Sequence, residues 1–430
     1  MSEFANARIL LVSDSYPPLI GGATRDTWLL AHQLLERGHS VAVATAWQAG
    51  APATEDDAGV EVFRVRDVMS RVRFLSADPT HHTPAPFPDP EAVWRLRRII
   101  RRVRPEIVIS YGWLSYSTAV ALAGTRIPMI LSIRDYGNVC ALRTLFWKNR
   151  EICSGPSFSK CLACATTVYG PIKGTIAVGG VLAGRSLLRT RMRAVQSCSG
   201  YVQLIADRFL VRSTGVRQVV LPSFRAPGDE GAPDDSVLSR LPVQPYILFV
   251  GAFRRVKGVE QLLEAYARLD TPPPLVLIGT RAPDSPRVFP PGVTVLENVP
   301  HATVLAAWDR ALFGVAPSTL PEPFGNVIHE AMSRGRPVIG TRPGGHGEMI
   351  QPGLTGFLVP AGDVPALVDA MRLLIADQGL REGMGEAARV VADRFTAERM
   401  MQGWERLIRD VLDEPSPDTG STRRAGLTDT

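Results

Sequence analysis

The sequence predicts an α/β protein with parallel sheets, built as two domains, and three observations carry that prediction. Strand-like and helix-like stretches alternate nearly throughout, the pattern of strand–helix–strand units. At 430 residues with 45% apolar content, the chain can bury two sizeable cores. Between the two series of units, Pro222 to Pro245 is rich in Pro, Gly, Asp and Ser and reads as a linker.

The first series opens at Arg8-Ile9-Leu10-Leu11-Val12 and continues through strands expected at 40–44, 61–65, 107–110, 129–133, 201–205 and 219–221. Only a few polar residues precede the first strand, with no apolar secretory segment, so a cytoplasmic location is expected. A helix follows the third strand, with Val93, Leu96, Ile100 and Val103 at helical spacing and Arg95, Arg97, Arg98, Arg101, Arg102 and Arg104 among them. The plain reading is a core-facing stripe with a solvated basic face. The alternative is an anionic membrane surface or lipid diphosphate, which would add a peripheral contact at the inner face of the membrane.

The net charge of +6 rests on 48 basic residues, of which only Lys148, Lys160, Lys173 and Lys257 are lysines. No aromatic residue beyond Trp94 is interleaved with the clustered arginines, so no nucleic-acid partner is expected. The apolar run 175–188 is interrupted by Gly179, Gly180, Gly184 and Arg185 and is too short to span a bilayer.

Between Gly137 and Gly170 the apolar residues, Leu145, Phe146 and Trp147 among them, follow no sustained pattern, and four cysteines crowd there. Cys161 and Cys164 have metal-knuckle spacing, and with Cys140 and Cys153 they could close a structural zinc site. Unliganded reduced thiols are the next alternative, since a reducing cytosol disfavours disulfides, and a redox or iron–sulfur role is the last.

The second series has strands expected at 246–250, 275–279, 293–296, 313–316, 338–340 and 356–359. Two Rossmann-like domains facing one cleft would place a ligand at the C-terminal ends of both sheets. The expected spans are 1–221 for the first domain, 222–244 for the linker and 245–392 for the second domain. A terminal helix at about 393–412 carries Met400, Trp404, Leu407 and Ile408 at helical spacing, and the polar tail 413–430 is expected to be disordered.

The stretch that names a chemistry runs from Ser318 to Gly340. It places Glu322 and Glu330 eight positions apart across an expected loop-to-helix junction at Gly325. A helix N-terminus offers unpaired N–H groups and a positive dipole end, which stabilise a phosphate without any metal. Two acids flanking such a phosphate suit a nucleotide sugar, one facing the sugar hydroxyls and the other the ribose diol. An ordinary surface helix is the competing reading. Its flanks disfavour that: Phe324-Gly325 precedes the helix, Arg334-Gly335 ends it, and Arg336-Pro337-Val338-Ile339-Gly340 reads as a buried strand.

The stretch resembles the signature of the family 4 (group 1) retaining glycosyltransferases, and the resemblance extends to about Leu412, excluding the cysteine loop and the linker. It implies the GT-B fold, a nucleotide-sugar donor, a hydroxyl acceptor, no catalytic cofactor, and a terminal helix that crosses back onto the first domain. In Leu248-Phe249-Val250-Gly251-Ala252-Phe253-Arg254-Arg255-Val256-Lys257, the lysine matches the family residue that holds the donor diphosphate. The arginine that often follows the glycine is Ala252 here, with Arg254 or Arg255 as substitutes. Gly21-Gly22 after the first strand matches the loop facing donor phosphate and acceptor. Gly344-Gly345-His346-Gly347-Glu348 and 353–359 match the closing donor segment, with His346 read as a loop residue.

The resemblance thus implies Glu322 and Lys257 as the catalytic pair. It implies a donor site of Gly22, Arg254, Arg255, Lys257, Glu322, Phe324, Gly325, Asn326 and Glu330. Gly21, Gly22, Tyr111 and Arg134 would form the acceptor region. Family members often carry histidines where this chain has Tyr111 and Arg134-Asp135-Tyr136, which leaves acceptor recognition open. A cysteine-bearing insertion after such an Asp-Tyr resembles a bacterial subset of the family. The rival functions are a GT-B nucleotide-sugar epimerase or glycosyl phosphorylase, and a non-catalytic nucleotide-sugar-binding protein. An oxidoreductase is disfavoured because no Gly-x-Gly-x-x-Gly turn follows a strand.

Overall fold

The computed structural model describes residues 6–19, 21–68, 70, 83–211, 215–224 and 231–414. The N-terminal sheet has strands β1 (Arg8–Ser13), β2 (Ser40–Ala46), β3 (Thr54–Asp57), β4 (Val60–Val65), β5 (Ile107–Tyr111) and β6 (Met129–Ile133). A separate small hairpin, β7 (Phe146–Trp147) and β8 (Glu151–Ile152), precedes its last two strands, β9 (Met192–Ser197) and β10 (Arg217–Val220). The strand order is β10-β9-β6-β5-β1-β2-β4-β3, parallel except that β3 runs against β4. The second sheet is wholly parallel, with β11 (Tyr246–Val250), β12 (Leu275–Gly279), β13 (Val293–Glu297), β14 (Ala311–Ala316), β15 (Val338–Arg342) and β16 (Gly356–Pro360). Its order is β13-β12-β11-β14-β15-β16.

Both sheets reverse their winding at a central strand, β1 beside β5 and β11 beside β14. Such a switch point opens a crevice at the carboxyl ends of the strands. The first strand shows why an uninterrupted apolar run suits this sheet. Ile9 and Leu11 face one core while Leu10 and Val12 face the other, so both sides are covered.

The helices of the first domain are α1 (Gly22–Glu36), α2 (Pro90–Val103), α3 (Leu114–Ala121), α4 (Phe158–Tyr169), α5 (Pro171–Arg189) and α6 (Gly200–Phe209). Asp89 caps α2 by accepting from Ala92 N at 3.0 Å, and Pro90 fits the first helical position. Its Ala92, Val93, Leu96, Ile99 and Ile100 are buried while Arg97, Arg98, Arg101 and Arg102 are exposed, which is the solvated-face arrangement. No helix among the described residues is long and apolar enough to cross a membrane.

One expected strand is corrected: 201–205 lies within α6, and the sheet takes Met192–Ser197 instead. The reason is a cap. Ser199 accepts from Val202 N at 3.1 Å, and Val202 and Ala206 supply a buried i, i+4 pair that a strand cannot use. The segment between Gly137 and Gly170 also carries more regular structure than its pattern implies, namely the β7–β8 hairpin and α4.

Within the stretch read as linker, a single turn forms α7 (Asp235–Leu238). The second domain then adds α8 (Val259–Ala267), α9 (His301–Trp308), α10 (Asn326–Ser333), α11 (Val364–Ala376) and α12 (Gln378–Ala392). The last helix, α13 (Ala397–Asp413), packs Met401, Trp404, Leu407, Ile408 and Val411 into one cluster with Ile9, Leu11, Leu30 and Leu34 of the first domain. Most of the tail read as disordered, 415–430, lies outside the described residues.

Candidate active site

The chain emerging from β11 passes through a short 3-10 turn, Arg255–Lys257, before Gly258 starts α8 in the left-handed conformation. The chain emerging from the neighbouring β14 carries Ser318 and Glu322. The switch point therefore brings Lys257 and Glu322 together: Nζ donates to Oε1 at 2.5 Å, and Ser318 Oγ donates to the same oxygen at 2.6 Å. Burial would raise the Glu322 carboxyl. The Lys257 charge and its hydrogen bond, with the hydrogen bond from Ser318, outweigh that and hold it below the ordinary carboxylate range. Arg255 instead pairs outward with Glu260 at 3.1 Å, and the half-exposed Arg254 pairs loosely with Asp284 at 3.5 Å. Of the three basic residues in this turn, Lys257 is the one the structure joins to Glu322.

Gly325, at φ 104°, caps α10, so the helix starts where the sequence reading put it and Glu330 falls on its second turn. Phe324 does not offer its ring to the cleft region. The ring is buried at 4% exposure and packs edge-on to Phe395 with centroids 5.8 Å apart. Beneath the cap lies His346, 1% exposed, whose Nδ1 accepts from Thr341 N at 3.0 Å. A Cβ on Gly325 would sit 2.8 Å from the ring and one on Gly340 would sit 3.0 Å from Nδ1, so two glycines make room for the imidazole. Burial lowers its pKa from 6.5 to about 4, against the pull of Glu322. The ring is neutral, with its proton on Nε2. Treating His346 as a loop residue missed this, because nothing in the local pattern signals a buried ring.

The first domain faces this half with the N-terminus of α1. A Cβ on Gly22 would lie 3.4 Å from Asn326 Nδ2, and Asn326 donates to Asp26 Oδ1 at 3.4 Å. Two helix N-termini, at Gly21-Gly22 and Gly325-Asn326, thus converge from opposite domains. Their dipoles and unpaired amides favour an anion between them. Asp26 also pairs with Arg134 at 3.0 Å and accepts from Ser223 Oγ at 2.5 Å.

Tyr111 donates to Asp135 at 3.0 Å and is buried. Arg143, from the cysteine loop, joins Asp135 at 2.6 Å to Asp14 at 2.8 Å, and Asp14 also accepts from Trp113 N and Leu114 N. Of the four residues named for the acceptor region, Tyr111 is therefore tied to Asp135 within the first domain, and Arg134 is tied through Asp26 to Ser223 and Asn326. The sequence reading missed Asp14, Asp26 and Arg143, whose partners are up to 300 residues away.

Further contacts cross between the domains. Ser199 Oγ donates to Pro323 O at 2.6 Å, and Glu348 accepts from Gly200 N at 2.9 Å. Arg25 Nη1 meets His301 Nδ1 at 2.8 Å, and His301 Nε2 meets Glu330 Oε1 at 2.9 Å.

The residues expected to hold zinc are Cys140, Cys153, Cys161 and Cys164. Among the described residues no group of three or more His, Cys, Asp or Glu side chains could hold a metal ion. Cys153 lies near enough to Cys140, Cys161 and Cys164 to raise each thiol, but burial is the larger cause and pushes Cys140 up to about 11. Cys164 Sγ accepts from Lys148 N at 3.0 Å and Cys153 Sγ donates to Gly155 O at 3.5 Å. All four are free thiols.

Residues 244–377 match the family model described as "Glycosyl transferases group 1", and residues 21–166 match "Glycosyl transferase 4-like domain". The chain is 34% identical over 181 residues to N-acetyl-alpha-D-glucosaminyl L-malate synthase of Bacillus anthracis, covering 39% of this chain and 45% of that protein. It is 31% identical over 189 residues to D-inositol 3-phosphate glycosyltransferase of Xylanimonas cellulosilytica, covering 40% and 42%. The chain thus matches less than half the length of either curated relative.

Among solved structures, sucrose-phosphate synthase of Thermosynechococcus elongatus superposes with a TM-score of 0.70 at 20% identity, covering 94% of this chain and 98% of that one. Anabaena Alr3699/HepE in complex with UDP-glucose gives 0.65 at 16% identity, covering 94% and 99%. The architecture is the GT-B fold.

Proposed function

We propose that the chain, whose residues 21–166 match a glycosyl transferase 4-like domain and 244–377 a group 1 glycosyl transferase, moves a sugar from a nucleotide-sugar donor to a hydroxyl acceptor with retention of configuration. The observation that carries the proposal is the convergence of two helix N-termini, Gly21-Gly22 and Gly325-Asn326, beside the Lys257–Glu322 pair and with Glu330 on the same helix as Asn326.

In this reading the donor diphosphate lies at the α10 amides and draws the Lys257 ammonium away from Glu322. The lysine and the amides stabilise the charge that develops on the departing diphosphate. Glu322, released from Lys257 but still bonded to Ser318, accepts from the sugar hydroxyls, and Glu330 accepts from the ribose diol. Attack from the face the diphosphate leaves retains configuration without an enzymic nucleophile or a catalytic metal.

The neighbour that holds UDP-glucose supports beginning with UDP-sugars. The engaged Tyr111 and Arg134 leave glycan, lipid-linked and small-molecule acceptors all open. A cytoplasmic site of action, with the basic face of α2 touching the inner membrane leaflet, belongs to the lipid-linked case.

Donor hydrolysis followed by NMR tests the reaction class. Release of the free sugar first in the anomeric form of the donor supports retention, and release of the opposite anomer contradicts it. Recovery of an epimerised sugar would instead favour an epimerase.

A further inference from the structure

The contact between Arg25 and His301 joins α1 of the first domain to α9 of the second, and it ends on Glu330 of α10. A guanidinium can only donate, so His301 Nδ1 accepts from Arg25 Nη1 at 2.8 Å. The ring proton is therefore on Nε2, which donates to Glu330 Oε1 at 2.9 Å. The order arginine, neutral imidazole, carboxylate is set by the chemistry of its two ends.

The Glu330 side chain is 13% exposed and that of His301 is 28% exposed, so the chain of bonds is sheltered rather than spread on the surface. His301 is the first residue of α9, directly after Pro300. Arg25 stands on the first turn of α1, three positions after Gly22, whose own backbone abuts Asn326. Both ends of the relay thus belong to the facing helices that line the anion site.

We infer that Arg25 and His301 are positioning residues that fix the Glu330 carboxylate from across the cleft, so that the nucleoside end of the donor site is fully set only when the two domains approach as they do here. The inference rests on the donor-site reading of Glu330 and adds a device to it: the first domain, which would hold the acceptor, helps to orient the group that holds the donor ribose. A carboxylate with one oxygen pinned by an imidazole cannot rotate freely, so less orientational freedom is lost when a diol arrives. The first domain exerts this effect without touching the nucleoside itself.

The test uses the full chain with UDP, ADP, GDP and CDP, each compared by calorimetry with its 2′,3′-dideoxy counterpart. Wild-type protein is expected to prefer the ribose form of whichever nucleotide it binds. His301→Ala should weaken that form by about tenfold, the scale of a lost hydrogen bond to a charged group, and leave the dideoxy form unchanged. Arg25→Ala should act in the same direction by a smaller factor. The double variant should be no weaker than His301→Ala alone, because the arginine acts only through the ring.

Variants that melt like wild type and keep its full ribose preference would overturn the relay. Losses that simply add in the double variant would overturn it too. Wild-type protein that binds none of the four nucleotides would sink the donor-site reading, and the relay with it.

Discussion

Replacing His346 with Gln removes one buried titrating group, and the structure sets the size of the effect. Unfolded, the imidazole titrates at about 6.5; folded, burial lowers it to about 4. Between those values the unfolded chain binds more protons than the folded one, so the ring's contribution is fully present above pH 6.5 and is lost as pH falls. At 1.36 kcal/mol for each unit of pKa, the gap amounts to about 3 kcal/mol of stability lost by pH 4. His346→Gln keeps an acceptor for Thr341 N but cannot titrate, so its stability should fall less over the same range, by about that amount.

Urea denaturation at several pH values, followed on the transition of the second domain, measures the difference. Proton NMR gives an independent check. At pH 6 the His346 resonance, assigned by its absence in the variant, should still be that of the neutral ring. A resonance titrating near 6.5, or identical acid sensitivity in both proteins, would refute the reasoning.

Two further outcomes concern the charged pair and the thiols. Lys257→Ala should lower turnover by roughly 10²–10³, the usual loss when one preorganised donor to developing charge is removed; near-normal turnover would move the diphosphate to other residues, Arg254 first. Cys140 should alkylate slowly at neutral pH, accelerating only as pH nears its value of about 11. Fast labelling of Cys140 at pH 7, or stoichiometric zinc in purified protein, would contradict the arrangement of free thiols.

Much of the fold was legible because its signals are local. Residues 9–12 and 246–250 are continuous apolar runs, and such runs suit strands covered on both faces. The start of α10 was legible for the same reason, since Gly325 needs the left-handed conformation that ends a loop and opens a helix. The segment 201–205 misled because a short stretch that is apolar except for Gln203 fits either period, and the deciding cap, Ser199, lies outside it.

The site was legible only in part. Lys257 and Glu322 stand at the ends of adjacent strands, so an alternating pattern with a switch point already brings them near each other. The Arg25–His301 contact spans 276 positions and joins two domains, and no sequence period encodes such a pairing. Tyr111 and Arg134 were placed correctly at strand ends, but their engagement by Asp135 and Asp26 depends on how three loops pack.

The facing helix N-termini, with Lys257, Glu322 and Glu330, are proposed to form a nucleotide-sugar site. Calorimetric titration of the wild-type chain and of Glu330→Ala with a panel of nucleotide sugars, beginning with UDP-glucose, tests it most directly. Wild type is expected to bind at least one donor, and the variant, still folded, to bind it about 1.5–3 kcal/mol more weakly. Equal affinity in the two proteins, or no binding of any donor by wild type, would contradict it.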